Sequence, residues 1–279
     1  MTTVEKNRAL LRHWYDHMWG CTNFDLIPEI AAEKYLRHDI TGANNLMPAT
    51  AYRDMLKPVL GHLEVQEFQY HLTCEGDYVG ALGRFILPGD KQWDWVQLFR
   101  VENNHLVETW LAGMGGTDPM GYPHPRNAWH GGEIPSVALP PSKNKTLVTS
   151  WLNNFLGESC DPNAFLLPEI RVHDFIHSDR IVSAVEYQSQ WLALMNSQQI
   201  SDFQSFVIGE GDMVFATCSW KLDGDRQWDW VQAFQIINGK IARIWLPVIG
   251  GTDTDLNLGA QTRWSASVMP ADSIALPVD

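Results

Sequence analysis

An internal repeat constrains this chain more than any other feature. Gln92-Trp93-Asp94-Trp95-Val96-Gln97-Leu98-Phe99 returns as Gln227-Trp228-Asp229-Trp230-Val231-Gln232-Ala233-Phe234, identical at seven of eight positions and 135 residues later (227 less 92). The same offset relates Glu75-Gly76-Asp77 to Glu210-Gly211-Asp212, Trp110 to Trp245, and Gly115-Gly116-Thr117-Asp118 to Gly250-Gly251-Thr252-Asp253. Lys6-Asn7 and Trp14 match Lys143-Asn144 and Trp151 at 137, and Leu26-Ile27-Pro28-Glu29-Ile30 matches Leu166-Leu167-Pro168-Glu169-Ile170 at 140. In a chain of 279 residues this period predicts two copies of one domain, the drifting offsets marking small loop insertions. The Pro-rich stretch from Pro119 to Pro141 is no plain linker, because Trp129 has a mate in Trp264 and Ser136-Val137-Ala138-Leu139-Pro140 one in Ser273-Ile274-Ala275-Leu276-Pro277. Each unit is therefore expected to carry its own tail, draped over its own domain or its neighbour. The expected boundaries are 1–141 and 142–279.

Within one unit the hydrophobic period changes once. Leu10, Leu11, Trp14 and Met18 fall on one helical face. A short helix through Leu26, Ile27 and Ile30 follows, then one through Tyr52, Met55, Leu56, Val59 and Leu60, with Pro58 close to its end. After His62 the period becomes two: Phe68, Tyr70 and Leu72 alternate with polar residues, and strands are predicted over 78–87, 91–101 and 106–111. The second unit repeats the order, with helices near 147–156, 165–170 and 184–195 and strands up to Ile249. Helices followed by an antiparallel meander predict an α+β fold, the helices covering one face of a curved sheet.

Charge and cysteine content exclude several functions. A formal charge of −13 disfavours nucleic acid and anionic membranes as partners. No run of eighteen apolar residues occurs, and Met1 to Arg8 lacks an apolar signal core. Cys21, Cys74, Cys160 and Cys218 form no CxxC pair, so free thiols and a cytoplasmic location are expected.

Glu5-Lys6-Asn7-Arg8-Ala9-Leu10-Leu11, Trp14-Tyr15 and Tyr35-Leu36-Arg37-His38-Asp39, with the later runs Leu98-Phe99-Arg100-Val101-Glu102 and Leu106-Val107-Glu108-Thr109-Trp110, resemble SnoaL-like polyketide cyclases. These belong to the cone-shaped superfamily of nuclear transport factor 2 and ketosteroid isomerase. The resemblance spans each unit except its tail. It implies two tandem cones, packed as an intramolecular pseudo-dimer through their outer sheet faces, each with an apolar pocket for a small hydrophobic carbonyl or polyketide-like ligand. It implies acid/base cyclase, isomerase or lyase chemistry with no metal and no organic cofactor. The acid/base Asp that such proteins carry after the Trp of the last strand is here Leu111, and Leu246 in the second copy. That replacement favours the alternative of a non-catalytic binding module.

Strand alternation places Trp93, Trp95, Gln97 and Phe99 on one face, and Trp228, Trp230, Gln232 and Phe234 on its counterpart. An amide among three aromatics suits either a ligand carbonyl or a backbone group in the core. These residues, with Leu111 and Leu246, are the expected pocket lining. Asp94 and Asp229 point to the other face, where pairing between the units is expected. His38, three residues after Tyr35, is by resemblance the acid/base candidate, matched at the 140 offset by Ser178. The pairs His13/His17 and His173/His177 have i, i+4 spacing but no completing ligand motif, so no metal site is expected.

Overall fold

The computed structural model describes residues 1–39, 42–89, 91–112, 139–157, 159–174, 180–195, 200–222, 227–251 and 274–277. Its first unit begins with α1 (Thr3–His13), a π-helical turn (Trp14–Trp19) and α2 (Ile27–Ile30). Then come β1 (Ala31–Asp39), β2 (Gly42–Met47), α3 (Ala49–Leu60), β3 (Glu67–Glu75), β4 (Tyr78–Leu87), β5 (Lys91–Glu102) and β6 (His105–Trp110). The second unit contains α4 (Lys143–Asn154), β7 (Leu166–Asp174), β8 (Arg180–Ser183), α5 (Ala184–Met195), β9 (Ile200–Glu210), β10 (Met213–Leu222), β11 (Gln227–Ile237) and β12 (Lys240–Leu246). The strand orders correspond, β3-β4-β5-β6-β1-β2 and β9-β10-β11-β12-β7-β8, so the chain is α+β with two sheets, each faced by helices.

Local chemistry sets the corresponding ends. Thr2 Oγ1 accepts the Glu5 N–H while the Glu5 carboxylate accepts the Thr2 N–H, a capping box that starts α1. Ser142 caps α4 by accepting the Lys145 N–H. Asn7 Nδ2 donates to the Gly76 carbonyl (3.0 Å) and Asn144 Nδ2 to the Gly211 carbonyl (2.8 Å), tying each first helix to the same hairpin turn. Those glycines have φ of +57° and +60°, a region costly for any residue with a Cβ. Pro58 lies inside α3, which runs on to Leu60.

Several expectations need correction. Residues 31–39 and 42–47, assigned no strand from sequence, form the antiparallel pair β1 and β2, and the Tyr35–His38 stretch is extended. Each sheet is mixed rather than wholly antiparallel, because β1 runs parallel to β6 and β7 parallel to β12. The helix expected at 165–170 is strand β7. Pro168 fits there because the pairing of β7 with β12 skips from Leu166 to Arg171, leaving no ladder bond for the missing N–H. The Leu-x-Pro-Glu-Ile match is thus a coincidence of residues, helical at 27–30 and extended at 166–170. Register sets the true offset at 135: His38 lies opposite Trp110, and His173 opposite Trp245. His38 therefore corresponds to His173, not to Ser178. The stretch Pro119–Ala138, Trp264, His177 and Ser178 lie outside the described residues.

The inner faces of β3–β6 close on α1, the π-helical turn and α2, burying Leu11, Trp14, Tyr15, Met18, Phe24 and Ile27. The outer faces of the two sheets meet, and Val96, Leu98, Val231 and Ala233 lie buried in one cluster. Two clamps tie the units reciprocally. Glu210 accepts the Cys74 N–H (2.9 Å) and both Arg8 Nη2 contacts (2.6 Å). Glu75 accepts the Gly209 N–H (2.8 Å) and pairs with Lys145. Glu75, Cys74 and Arg8 occupy in the first unit the places of Glu210, Gly209 and Lys145 in the second. A short strand, β13 (Gly250–Gly251), pairs with β11, and β14 (Ile274–Pro277) adds to the outer edge of β3. The tail of the second unit is thus part of the first sheet.

Candidate functional site

Alternation along β5 sends Trp93, Trp95 and Phe99 into the first core, where Leu111 joins them. Trp95 stacks on Phe68 (5.7 Å between centroids) and lies over Gly83, where a Cβ would fall 2.1 Å from the indole. Only glycine there leaves the ring room to reach Tyr15. The π-helical turn, which inserts one extra residue per turn, directs Tyr15 into the same space.

A polar line then runs through this apolar interior. Trp95 Nε1 donates to the Tyr15 hydroxyl (3.3 Å), which donates to Gln97 Oε1 (3.2 Å). Gln97 Nε2 donates to Thr109 Oγ1 (2.8 Å), and that hydroxyl donates to the Leu98 carbonyl (2.9 Å). Beyond Thr109 lie Tyr35, hydrogen-bonded to it, and Arg37, whose guanidinium sits 3.9 Å from the centroid of Tyr52 and 3.4 Å from the Asp39 carboxylate. Burial pushes the Tyr15 and Tyr35 phenols far above their ordinary value and Tyr52 up to about 12. All three are neutral hydroxyls near pH 7, able to donate to an oxygen and unable to act as bases. Gln97 alone in this row is part-exposed, between Trp95 at 2% and Phe99 at 0%.

The second unit keeps the aromatics and loses the line. Trp228, Trp230, Phe234 and Leu246 are buried in one cluster, with Trp220 packed 4.7 Å from Trp230. Gln232 is 4% exposed, and among the described residues its amide donates to Cys218 Sγ alone, at 3.8 Å. The places of Tyr15, Tyr35, Arg37 and Thr109 are taken by Leu152, Ile170, Val172 and Ile244. Trp230 Nε1 accordingly has no hydrogen-bond partner among the described residues. The two interiors differ in chemistry, although their strands match.

His38 does not join the Gln97 set. It is fully buried on the opposite face of the sheet, stacked on Trp110 (5.3 Å), with Nε2 3.0 Å from Glu108 Oε1. Arg100 Nε donates to the other Glu108 oxygen (2.8 Å). The physical reason is parity: Tyr35 and His38 are an odd number apart, and in a strand that puts them on opposite faces. Asp94, also on the outer face and fully buried, accepts from Gln92 Nε2 (2.7 Å). Asp229 is buried opposite Ser219. His173 is in a strand, so its i, i+4 relation to His177 is not that of a helix face, whereas the His13 and His17 rings do lie edge to face at 5.0 Å. Among the described residues no group of three His, Cys, Asp or Glu side chains is placed to hold a metal, and no helix is long and apolar enough to cross a membrane.

Sequence reading missed Tyr15, Tyr35, Arg37, Asp39, Tyr52 and Thr109. The available signal was comparison at the 135 offset, where Arg37-His38-Asp39 faces Val172-His173-Asp174 and Thr109 faces Ile244.

No protein-family model and no curated protein matches the sequence. Solved structures similar to part of the chain include an NTF2-like protein of unknown function from Mesorhizobium loti. It is 16% identical and covers 40% of this chain and 96% of its own, with a TM-score of 0.34. A proposed polyketide cyclase from Acidithiobacillus ferrooxidans is 18% identical over 40% of this chain and 89% of its own, at a TM-score of 0.32. IdmH, a proposed polyketide cyclase from Streptomyces antibioticus, is 12% identical over 38% of this chain and 89% of its own, at 0.30.

Proposed function

We propose that the first unit binds one small, largely hydrophobic carbonyl compound of polyketide-like character, held against the part-exposed Gln97 amide. The second unit serves as its structural partner. The carrying observation is the part-exposed Gln97 amide, set among buried aromatics and linked to the Tyr15 and Thr109 hydroxyls. Such a site supplies apolar area for affinity and a few fixed donors for orientation. On this reading residues 1–141 and 142–279 are copies from an internal duplication, packed as a pseudo-dimer in which one copy has closed its interior.

A titration with 2-acetylnaphthalene, followed by quenching of tryptophan fluorescence, tests the proposal. One saturable site per chain is expected. Gln97→Leu should weaken it roughly 5- to 150-fold, the effect of about 1–3 kcal/mol for a lost polar partner, and Gln232→Leu should leave it unchanged. Two equal sites, or indifference to Gln97→Leu, would defeat the proposal.

Acid/base turnover of the same ligand is a second reading, favoured by one observation. The Asp39 carboxylate, beside Arg37 and the Tyr52 ring, is the carboxylate of this inner polar set. Asp39→Asn would then abolish turnover and spare binding.

A further inference from the structure

We propose that the surface joining the two units is heterotypic: the outer face of the first fits that of the second and is ill-suited to a second copy of itself. This surface is separate from the ligand that the first unit takes. Each clamp across the contact has a mate at the corresponding position, as a two-fold relation requires. In such an arrangement, equivalent residues touch each other only where the axis passes. Gly80 and Phe215 are equivalent, 135 residues apart, and they touch: a Cβ on Gly80 would fall 2.5 Å from Phe215 Cγ.

No turn requires this glycine. It lies inside β4, opposite Leu98 and Thr73, where glycine weakens a strand. Its use is to admit the Phe215 ring, which is 1% exposed. Two first units meeting this way would leave an empty hole at Gly80, and two second units would drive two Phe215 rings into each other. The clamps cannot discriminate, because both units carry a cation on the first helix and a glutamate before the turn. Gly80 and Phe215 are therefore the equivalent pair on the axis that separates the two kinds of contact, and the partner selected is the chain's own other half.

The homotypic contacts can be installed within the full chain. Gly80→Phe places Phe against Phe on the axis, and Phe215→Gly places Gly against Gly. Each should lower the melting temperature, by roughly 3–10 °C, and the exchanged double variant should recover at least half of the summed loss. Should Gly80→Phe fail to fold, Gly80→Ala provides the same cycle, destabilising alone and neutral when combined with Phe215→Ala. Single variants as stable as the parent, or a double variant that loses the full sum, would overturn the proposal.

Discussion

Replacing Tyr15 by Phe removes one oxygen atom from the centre of the polar line, and the structure allows the loss to be worked out atom by atom. The ring stays, packed 5.0 Å from Tyr70 and 6.0 Å from Trp95, so no cavity of consequence opens. Two hydrogen bonds go, of 3.3 and 3.2 Å, both long and so at the weak end of the range. Gln97 is part-exposed, and water can take over its freed oxygen; Trp95 is 2% exposed, and its N–H stays buried without an acceptor. The net loss is then one unsatisfied donor, about 1–2 kcal/mol, or ~2–8 °C in melting temperature for a chain of this size. Urea denaturation followed by circular dichroism measures it, with Gln232→Leu as the control. That control should be neutral to within ~0.5 kcal/mol, because its amide has only a long contact to sulfur to lose. Equal losses from both variants, or none from Tyr15→Phe, would show that the line does not hold the first interior together.

The two clamps should differ in strength despite their matching geometry. Glu75→Ala strands the Lys145 ammonium at 7% exposure and should cost about 3–5 kcal/mol, whereas Glu210→Ala leaves Arg8 at 27% exposure, still bonded to the Leu72 carbonyl, for about 1 kcal/mol. The reverse order in chemical denaturation would refute this. Burial pushes the Glu108 carboxyl up, but hydrogen bonds from His38 and Arg100 overcome this and hold it below its ordinary 4.5. A depressed carboxylate contributes stability that is complete above its unfolded value and is lost as pH falls through the folded one. Glu108→Gln should therefore lower the melting temperature at pH 7 and progressively less as pH drops below 4.5, and a difference constant from pH 7 to pH 3 would contradict it.

What the sequence shows of this fold depends on whether periodicity or pairing decides. Trp93 to Phe99 alternate cleanly, so their division between inner and outer faces is legible from residue order alone. The strands β1 and β7 are not: Ala31-Ala32-Glu33-Lys34-Tyr35 carries no alternation, and a neighbouring Pro-Glu-Ile reads equally well as a helix start. Their conformation comes from parallel pairing with β6 and β12, a contact remote in sequence that overrides local preference. The site is obscured for the same reason. Without a strand assigned to Tyr35–His38 the stretch has no parity, and resemblance alone puts His38 on the face that in fact belongs to Arg37.

Because Ile274 pairs with Tyr70 and Pro277 with Glu67, the first sheet contains a strand made long after the rest of it. During synthesis at roughly 5–20 residues per second, about 10–40 s separate the appearance of β3 from that of its outer neighbour. Through that interval β3 lacks this partner along Glu67–Tyr70, where the exposed Glu67 carboxylate discourages pairing with another chain. The first sheet, which carries the polar interior, is thus completed by residues that follow the whole of the second sheet in the sequence.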